Sequence, residues 1–171
     1  MKAVPETIFD TGMFSLERFD FSKRGPKKHF YRIVEPDSVA ILPITASGKI
    51  VIERQYRPAI RKYVYEIPAG HAEKGERMES AAMRELKEET GYRAGLLRHM
   101  FSAYKSPGLD TELLTFFLAT RLKKGKPSPD PSEIITTIEL SIGNLLEMIK
   151  SNRITDAKTI AATLFYVLFL H

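Results

Sequence analysis

The 171-residue chain is 43% hydrophobic, carries a formal charge of +5 and has no Cys. That apolar content suits one domain with a real core, and the missing Cys excludes a disulfide framework, a thiolate metal site and a cysteine nucleophile. No basic segment leads into a long apolar run and the basic residues do not interleave with aromatics, so a cytoplasmic protein with no membrane and no nucleic-acid partner is expected. In chain order, Thr11–Phe21 and Lys27–Val34 read as strands separated by a Gly25–Pro26 break. Val39–Thr45 and Lys49–Gln55 flank Ala46-Ser47-Gly48 and predict a hairpin, with Gly48 supplying the positive φ of a tight turn. Val64–Ile67 is a short strand ended by Pro68. The period then changes. Met78, Ala81, Ala82 and Leu86 form an apolar stripe at helical spacing that Gly91 stops. Leu96–Tyr104 and Leu113–Leu122 return to strands, Lys123–Ser132 is a polar loop, and Ile134–Leu140 is a last strand. Ser141 and Asp156 are placed to cap two helices, running to about Met148 and Phe169. The apolar run Ile160–Leu170, broken by Thr163, is too short to span a bilayer and reads as a buried terminal helix or a subunit interface. The order of elements predicts an α+β chain layered α/β/α around a mixed sheet.

The helix after Gly70 carries the chemistry. Glu85, Glu88 and Glu89 lie three and four residues apart, so their carboxylates share one helix face. Such a group repels itself unless a hard cation neutralises it, and Mg²⁺ favours carboxylate oxygens together with substrate phosphate. Gly70 and Gly75 permit sharp turns before the helix, and Arg84 can pin a carboxylate or meet a phosphate. Periodicity alone leaves a second reading open, a solvated acidic helix stabilised by pairs such as Glu73 with Arg77.

The full segment is more specific. Gly70, Glu76, Arg84, Glu85, Leu86, Glu88, Glu89 and Gly91 stand at the spacing of the Nudix box, and the chain resembles that hydrolase family. Tyr92 departs from the pattern, which usually has an aliphatic residue there. The resemblance implies Glu85 and Glu89 as principal ligands of Mg²⁺, with Mn²⁺ able to substitute. It implies Glu88 as a further ligand or water-orienting base and the backbone oxygen of Ala69 as another ligand. Glu76, paired with Arg84, and Gly70 have supporting roles in that reading.

The flanks resemble the ADP-ribose pyrophosphatase branch. They are Glu53-Arg54-Gln55-Tyr56-Arg57-Pro58, Tyr65-Glu66-Ile67-Pro68-Ala69-Gly70, Ser106-Pro107-Gly108 with Glu112, and the tail from Ile154 to Thr159. The resemblance covers roughly residues 37–170 and implies a Nudix catalytic domain over 37–171. Residues 1–36 are then an N-terminal β extension forming a small antiparallel sheet, exchanged across a homodimer. Arg57 can grip pyrophosphate oxygens with its planar fork, though a surface Arg is the plainer alternative. Glu66 is placed to accept ribose hydroxyls or steady the metal site, and Tyr56, Phe19 and Phe21 are candidates to stack on adenine or simply to pack. Pro107 and Gly108 shape a loop against the terminal ribose, while Asp110 and Glu112 can touch ribose hydroxyls or ions.

The resemblance implies a catalytic or ion-assisting carboxylate in the loop before the last strand, which is Glu133 here, with Asp130 near it and Glu85 or Glu88 as alternative bases; Thr136 stands where the family's run has a second acid. Lys105 or Arg57 can add positive charge at the transferred group. His29, His71, His99 and His171 receive no role, and no Ser-His-Asp arrangement stands out. The expected reaction is Mg²⁺-dependent attack of water on the pyrophosphate of ADP-ribose, a nucleotide sugar, giving AMP and ribose 5-phosphate. Two alternatives stand beside it: a Nudix pyrophosphatase of broader range acting on other nucleotide sugars or dinucleotides, and an inactive nucleotide-binding module.

Overall fold

The computed structural model describes residues 4–21, 26, 28–131 and 133–170. Gly25 of the expected break, Lys27, Ser132 and His171 lie outside the described residues. The chain opens with a three-stranded antiparallel sheet of β1 (Glu6–Asp10), β2 (Ser15–Phe21) and β3 (Lys28–Val34), in that order. The sequence pattern starts these strands at Thr11 and misses β1. Residues 11–14 are instead the turn between β1 and β2, where Thr11 Oγ1 accepts the Phe14 N–H at 3.0 Å and Gly12 takes φ +80°. Five residues are too few for period two to stand out, and all five of β1 are exposed.

The rest of the chain is built on β4 (Ser38–Pro43), β5 (Ile50–Arg57), β6 (Lys62–Glu66), β7 (Ala69–His71), α1 (Met78–Thr90), β8 (Tyr92–Arg93), β9 (Leu96–Tyr104), β10 (Leu113–Thr120), β11 (Lys123–Lys124), β12 (Ile135–Leu140), α2 (Ile142–Lys150) and α3 (Ala157–Phe169). The mixed central sheet runs β7-β4-β10-β9, with β4 and β10 parallel and the other pairs antiparallel. A second sheet runs β12-β5-β6, all antiparallel.

The predicted hairpin needs correction. Gly48 does make the turn, at φ +75°, and Thr45 N–H reaches Lys49 O at 2.9 Å. Beyond a single bridge between Ile44 and Ile50 the strands part, β4 into the central sheet and β5 into the second. Both strands are buried on both faces, so neither carries the alternating pattern that would mark them as mutual partners. The loop expected over 123–132 also contains β11, which pairs with β8.

Alternation along β4 and β10 sorts the core. Ala40, Leu42 and Phe116 face one cluster with Leu145 of α2 and Ala162 of α3. Val39, Ile41, Phe117 and Ala119 face the other, with Ala81, Ala82 and Leu86 of α1. The result is an α/β/α sandwich with α1 alone on one side. Leu86 is fully buried, which at roughly 1.5–3 kcal/mol for such a side chain makes it the main apolar anchor of the acidic helix. Ser141 caps α2 by accepting the Asn144 N–H, and Asp156 caps α3 by accepting the Thr159 N–H. Among the described residues no helix is long and apolar enough to cross a membrane.

Candidate active site

Strand β7 and the loop after it bring Gly70 against α1. A Cβ built on Gly70 would lie 2.3 Å from the Glu85 carboxyl carbon, so the absent side chain is the space this carboxylate occupies. Arg84 then organises the helix face. Its Nε and Nη2 donate to the two oxygens of Glu76 at 3.1 and 2.9 Å, and Nη1 donates to Glu85 at 2.6 Å and Glu88 at 3.3 Å. Nη2 also reaches the His71 carbonyl at 3.0 Å, tying helix to loop. Glu76 closes the loop from its own side by accepting the Glu73 N–H at 2.9 Å.

Glu89 turns inward. It is 4% exposed, and one oxygen accepts the Ala69 N–H at 3.0 Å. Burial, then the charges of Glu53, Glu85 and Glu133, push its carboxyl far above the ordinary range; the Ala69 hydrogen bond offsets only part of this. Glu85 is shifted up as well by burial, against the pull of Arg84. The loop carrying Glu133 is staked to the end of α1. Gly125 N–H reaches Gly91 O at 2.9 Å, and Ser128 N–H reaches Glu88 O at 2.8 Å. Gly91 serves this junction twice. Its φ is +77°, and an added Cβ would stand 2.7 Å from Pro127 N. The charge of Glu133 adds to the upward shifts of Glu53, Glu85 and Glu89.

Arg57 of β5 reaches along the sheet to Glu66 of β6. Arg57 Nε and Nη2 each donate to a Glu66 oxygen at 2.8 Å. Lys158, in the first turn of α3, also contacts Glu66 and pairs with Asp156 at 2.9 Å. Burial works to raise the Glu66 carboxyl, but Arg57 and Lys158 outweigh it and hold it low. A cleft of about 330 Å³ opens beside this group, lined by Arg57, Ala59, Ile60, Val64, Glu66, Thr155, Asp156 and Ala157.

The remaining expected residues lie apart from one another. Tyr56 packs edge-on against Tyr63, and Phe19 and Phe21 both pack on Phe30 within the N-terminal sheet. Pro107 and Gly108 lie in the turn where Leu109 N–H reaches Ser106 O at 2.8 Å, and this turn is bonded to β3 through Ile33. Glu112 is buried and contacts Lys105, which also pairs with Glu35 at 2.7 Å.

Glu35, His71 and Glu112 offer ligand atoms within 4.8 Å of one another, the one such group among the described residues. That group suits a cation-dependent enzyme, but the Lys105 ammonium already supplies positive charge there. The carboxylates around α1 are not drawn together to that distance. Arg84 holds Glu85 and Glu88, while Glu89 leans into the sheet. They fit a divalent cation better on chemical grounds, since buried Glu89 makes no ion pair among the described residues and the charges of three other carboxylates act on it.

Comparison with known proteins decides the family. The NUDIX domain matches residues 34–162. This chain belongs to the Nudix hydrolase family. It is 39% identical over 140 residues to an ADP-ribose pyrophosphatase of Bacillus subtilis (strain 168), covering 81% of this chain and 72% of the relative. It is 30% identical over 172 residues to a GDP-mannose pyrophosphatase of Salmonella arizonae, covering 92% of this chain and 90% of that one. A solved structure described as an ADP compounds hydrolase superposes with a TM-score of 0.85 over 99% of this chain and 95% of its own. At 22% identity it bears on the fold, which is the Nudix fold with its mixed central sheet and small antiparallel sheet.

Sequence reasoning passed over three residues of this Nudix site. Glu53 is one of them, an acid that ends the apolar run Ile50-Val51-Ile52 and so is a visible signal in the sequence. Lys158 places a cation at the positive end of a helix, an unfavourable position that asks for anionic partners. Asp156 is read as a cap, and it also holds Lys158.

Proposed function

We propose that this Nudix hydrolase cleaves the pyrophosphate of a range of nucleoside-diphosphate sugars and related dinucleotides, with ADP-ribose among its substrates. The observation that carries the reading is the acidic face of α1, where buried Glu89 lies among carboxylates without a cation of its own. Glu85, Glu88, Glu89 and the Ala69 backbone oxygen would hold Mg²⁺, or Mn²⁺ in its place. Bound there, the ion neutralises phosphate oxygens and lowers the pKa of a water.

The chain's own groups do the rest. Arg84 keeps Glu85 and Glu88 directed along one face of the helix. Glu66 holds two nitrogens of Arg57, so the third is the one to meet a phosphate oxygen in the cleft. Glu133 takes the proton of the attacking water, Glu85 and Glu88 being the other candidates. The water oxygen ends on one phosphorus and the bridging oxygen leaves with the other; from ADP-ribose the products are AMP and ribose 5-phosphate. Tyr56, Pro107, Gly108 and Glu112 contribute to substrate binding in this reading.

The breadth of range is supported by relatives whose names differ in both base and sugar. A panel of ADP-ribose, GDP-mannose and flavin dinucleotide, read as kcat/KM with Mg²⁺ and with Mn²⁺, tests it. Turnover of several substrates is expected. Turnover of ADP-ribose alone would narrow the function to that substrate, and no turnover of any would leave an inactive binding module. We also infer a homodimer formed through the N-terminal extension, because Phe9, Phe14, Phe21 and Phe30 are exposed there. Light scattering should give twice the mass of one chain.

A further inference from the structure

One acid stands outside the Nudix box and outside the loop of Glu133. Glu53 lies on β5, the middle strand of its sheet, and is 1% exposed. Its Oε1 has no hydrogen-bond partner. A buried carboxylate oxygen left without a partner costs free energy that a native fold recovers from something.

Strand geometry says where it points. Side chains two apart share a face, so Glu53 faces the same way as Val51. Val51 packs with Ala82 and Leu86 of α1, and Glu89 is the residue one helical step beyond Leu86. Glu53 therefore projects toward the underside of the acidic helix. Glu66 is its register partner on β6, and Thr137 its partner on β12, two residues from Ile135 and four from Glu133. The neighbouring cations Arg57 and Lys158 both bond Glu66. The mutual influence of Glu53, Glu66, Glu89 and Glu133 agrees with this placement.

We propose that Glu53 belongs to the divalent-metal site, supplying a carboxylate from the sheet beneath the helix that bears the box acids. The inference rests on the metal-dependent reading of α1, though not on the identity of the substrate. A cation between Glu89 and Glu53 supplies the partner that Oε1 lacks, and gives a reason for an acid in an otherwise apolar strand segment. It also means that ion binding clamps α1 to β5, so occupancy of the site stabilises the fold.

The test is Mn²⁺ binding to substrate-free protein, followed by electron paramagnetic resonance, in wild type, Glu53→Gln, Glu53→Val and a Glu85→Gln/Glu89→Gln control. Both Glu53 variants should bind Mn²⁺ roughly 10- to 100-fold more weakly. The metal-free melting temperature of Glu53→Val should rise, since a buried polar group without a partner has been removed, and the further rise on adding Mn²⁺ should shrink in both variants. Mn²⁺ affinity equal to wild type in both variants, with binding lost in the double control, overturns this inference and leaves the box reading intact. A fall in the metal-free melting temperature of Glu53→Val also overturns it, because it would mean that Glu53 already has a partner within the protein. A wild-type protein that binds no Mn²⁺ sinks both this inference and the metal-dependent reading.

Discussion

Gly70→Ala should separate catalysis from stability. The added Cβ would lie 2.3 Å from the Glu85 Cδ and Oε1 and 2.6 Å from Oε2. Ordinary contact begins near 3.4 Å, so the carboxylate has to retreat by about 1 Å. What yields is the far end of a flexible side chain, and Gly70 has no positive φ to strain. If Glu85 holds the metal as proposed, misplacement of that size costs roughly 100-fold in rate, or about 2.7 kcal/mol of transition-state stabilisation. The melting temperature should change little. Gly91→Ala is the counterpart. There the clash is with backbone at Pro127 and Gly125 and φ is +77°, so stability should fall by about 1–3 kcal/mol and the Glu133 loop should loosen. Steady-state turnover of ADP-ribose at saturating Mg²⁺, alongside thermal melts of both variants, checks the pair. Near-wild-type turnover in Gly70→Ala, or its unfolding at a temperature close to that of Gly91→Ala, would refute the argument.

Lys158→Met removes a partly buried ammonium from buried Glu66 and from Asp156 while Arg57 remains, and should cost about 3 kcal/mol, a drop of roughly 6–12 °C in melting temperature. A shift of a degree or less would mean the pair is neutral. Metal-free protein should lose stability as pH rises above the ordinary carboxylate value of 4.5. Glu53 and Glu89 keep their protons in the fold when the unfolded chain has given them up, so the folded state binds more protons in that window. Denaturant melts with chelator at pH 5 and pH 8 should show the decline, and Mg²⁺ should restore more at pH 8; a flat profile contradicts it. Glu133→Gln should lower kcat roughly 100-fold or more with KM little changed if this residue takes the proton. A larger loss in Glu88→Gln with Glu133→Gln near wild type would move that role to the helix.

Local patterns were legible because they are written within a few residues. The spacing of Glu85, Glu88 and Glu89 needs only one helix, and Ser141 and Asp156 act on N–H groups three residues away. Gly48 and Gly91 mark positions of positive φ that other residues rarely adopt. From such signals came the acidic helix, the α/β/α layering and the family. Tertiary structure decided what lies far apart in the chain. Strands β4 and β5 part into different sheets because both are buried on both faces, so their pattern names no partner. Lys158 meets Glu66 across 92 residues, a contact no periodicity can announce. The acidic helix itself divides into Glu85 and Glu88, held by Arg84, and Glu89, turned down to Ala69. Glu53 is the sharpest case. The sequence contains an acid in an apolar run, but only the register of β5 beneath α1 aims it at the other carboxylates.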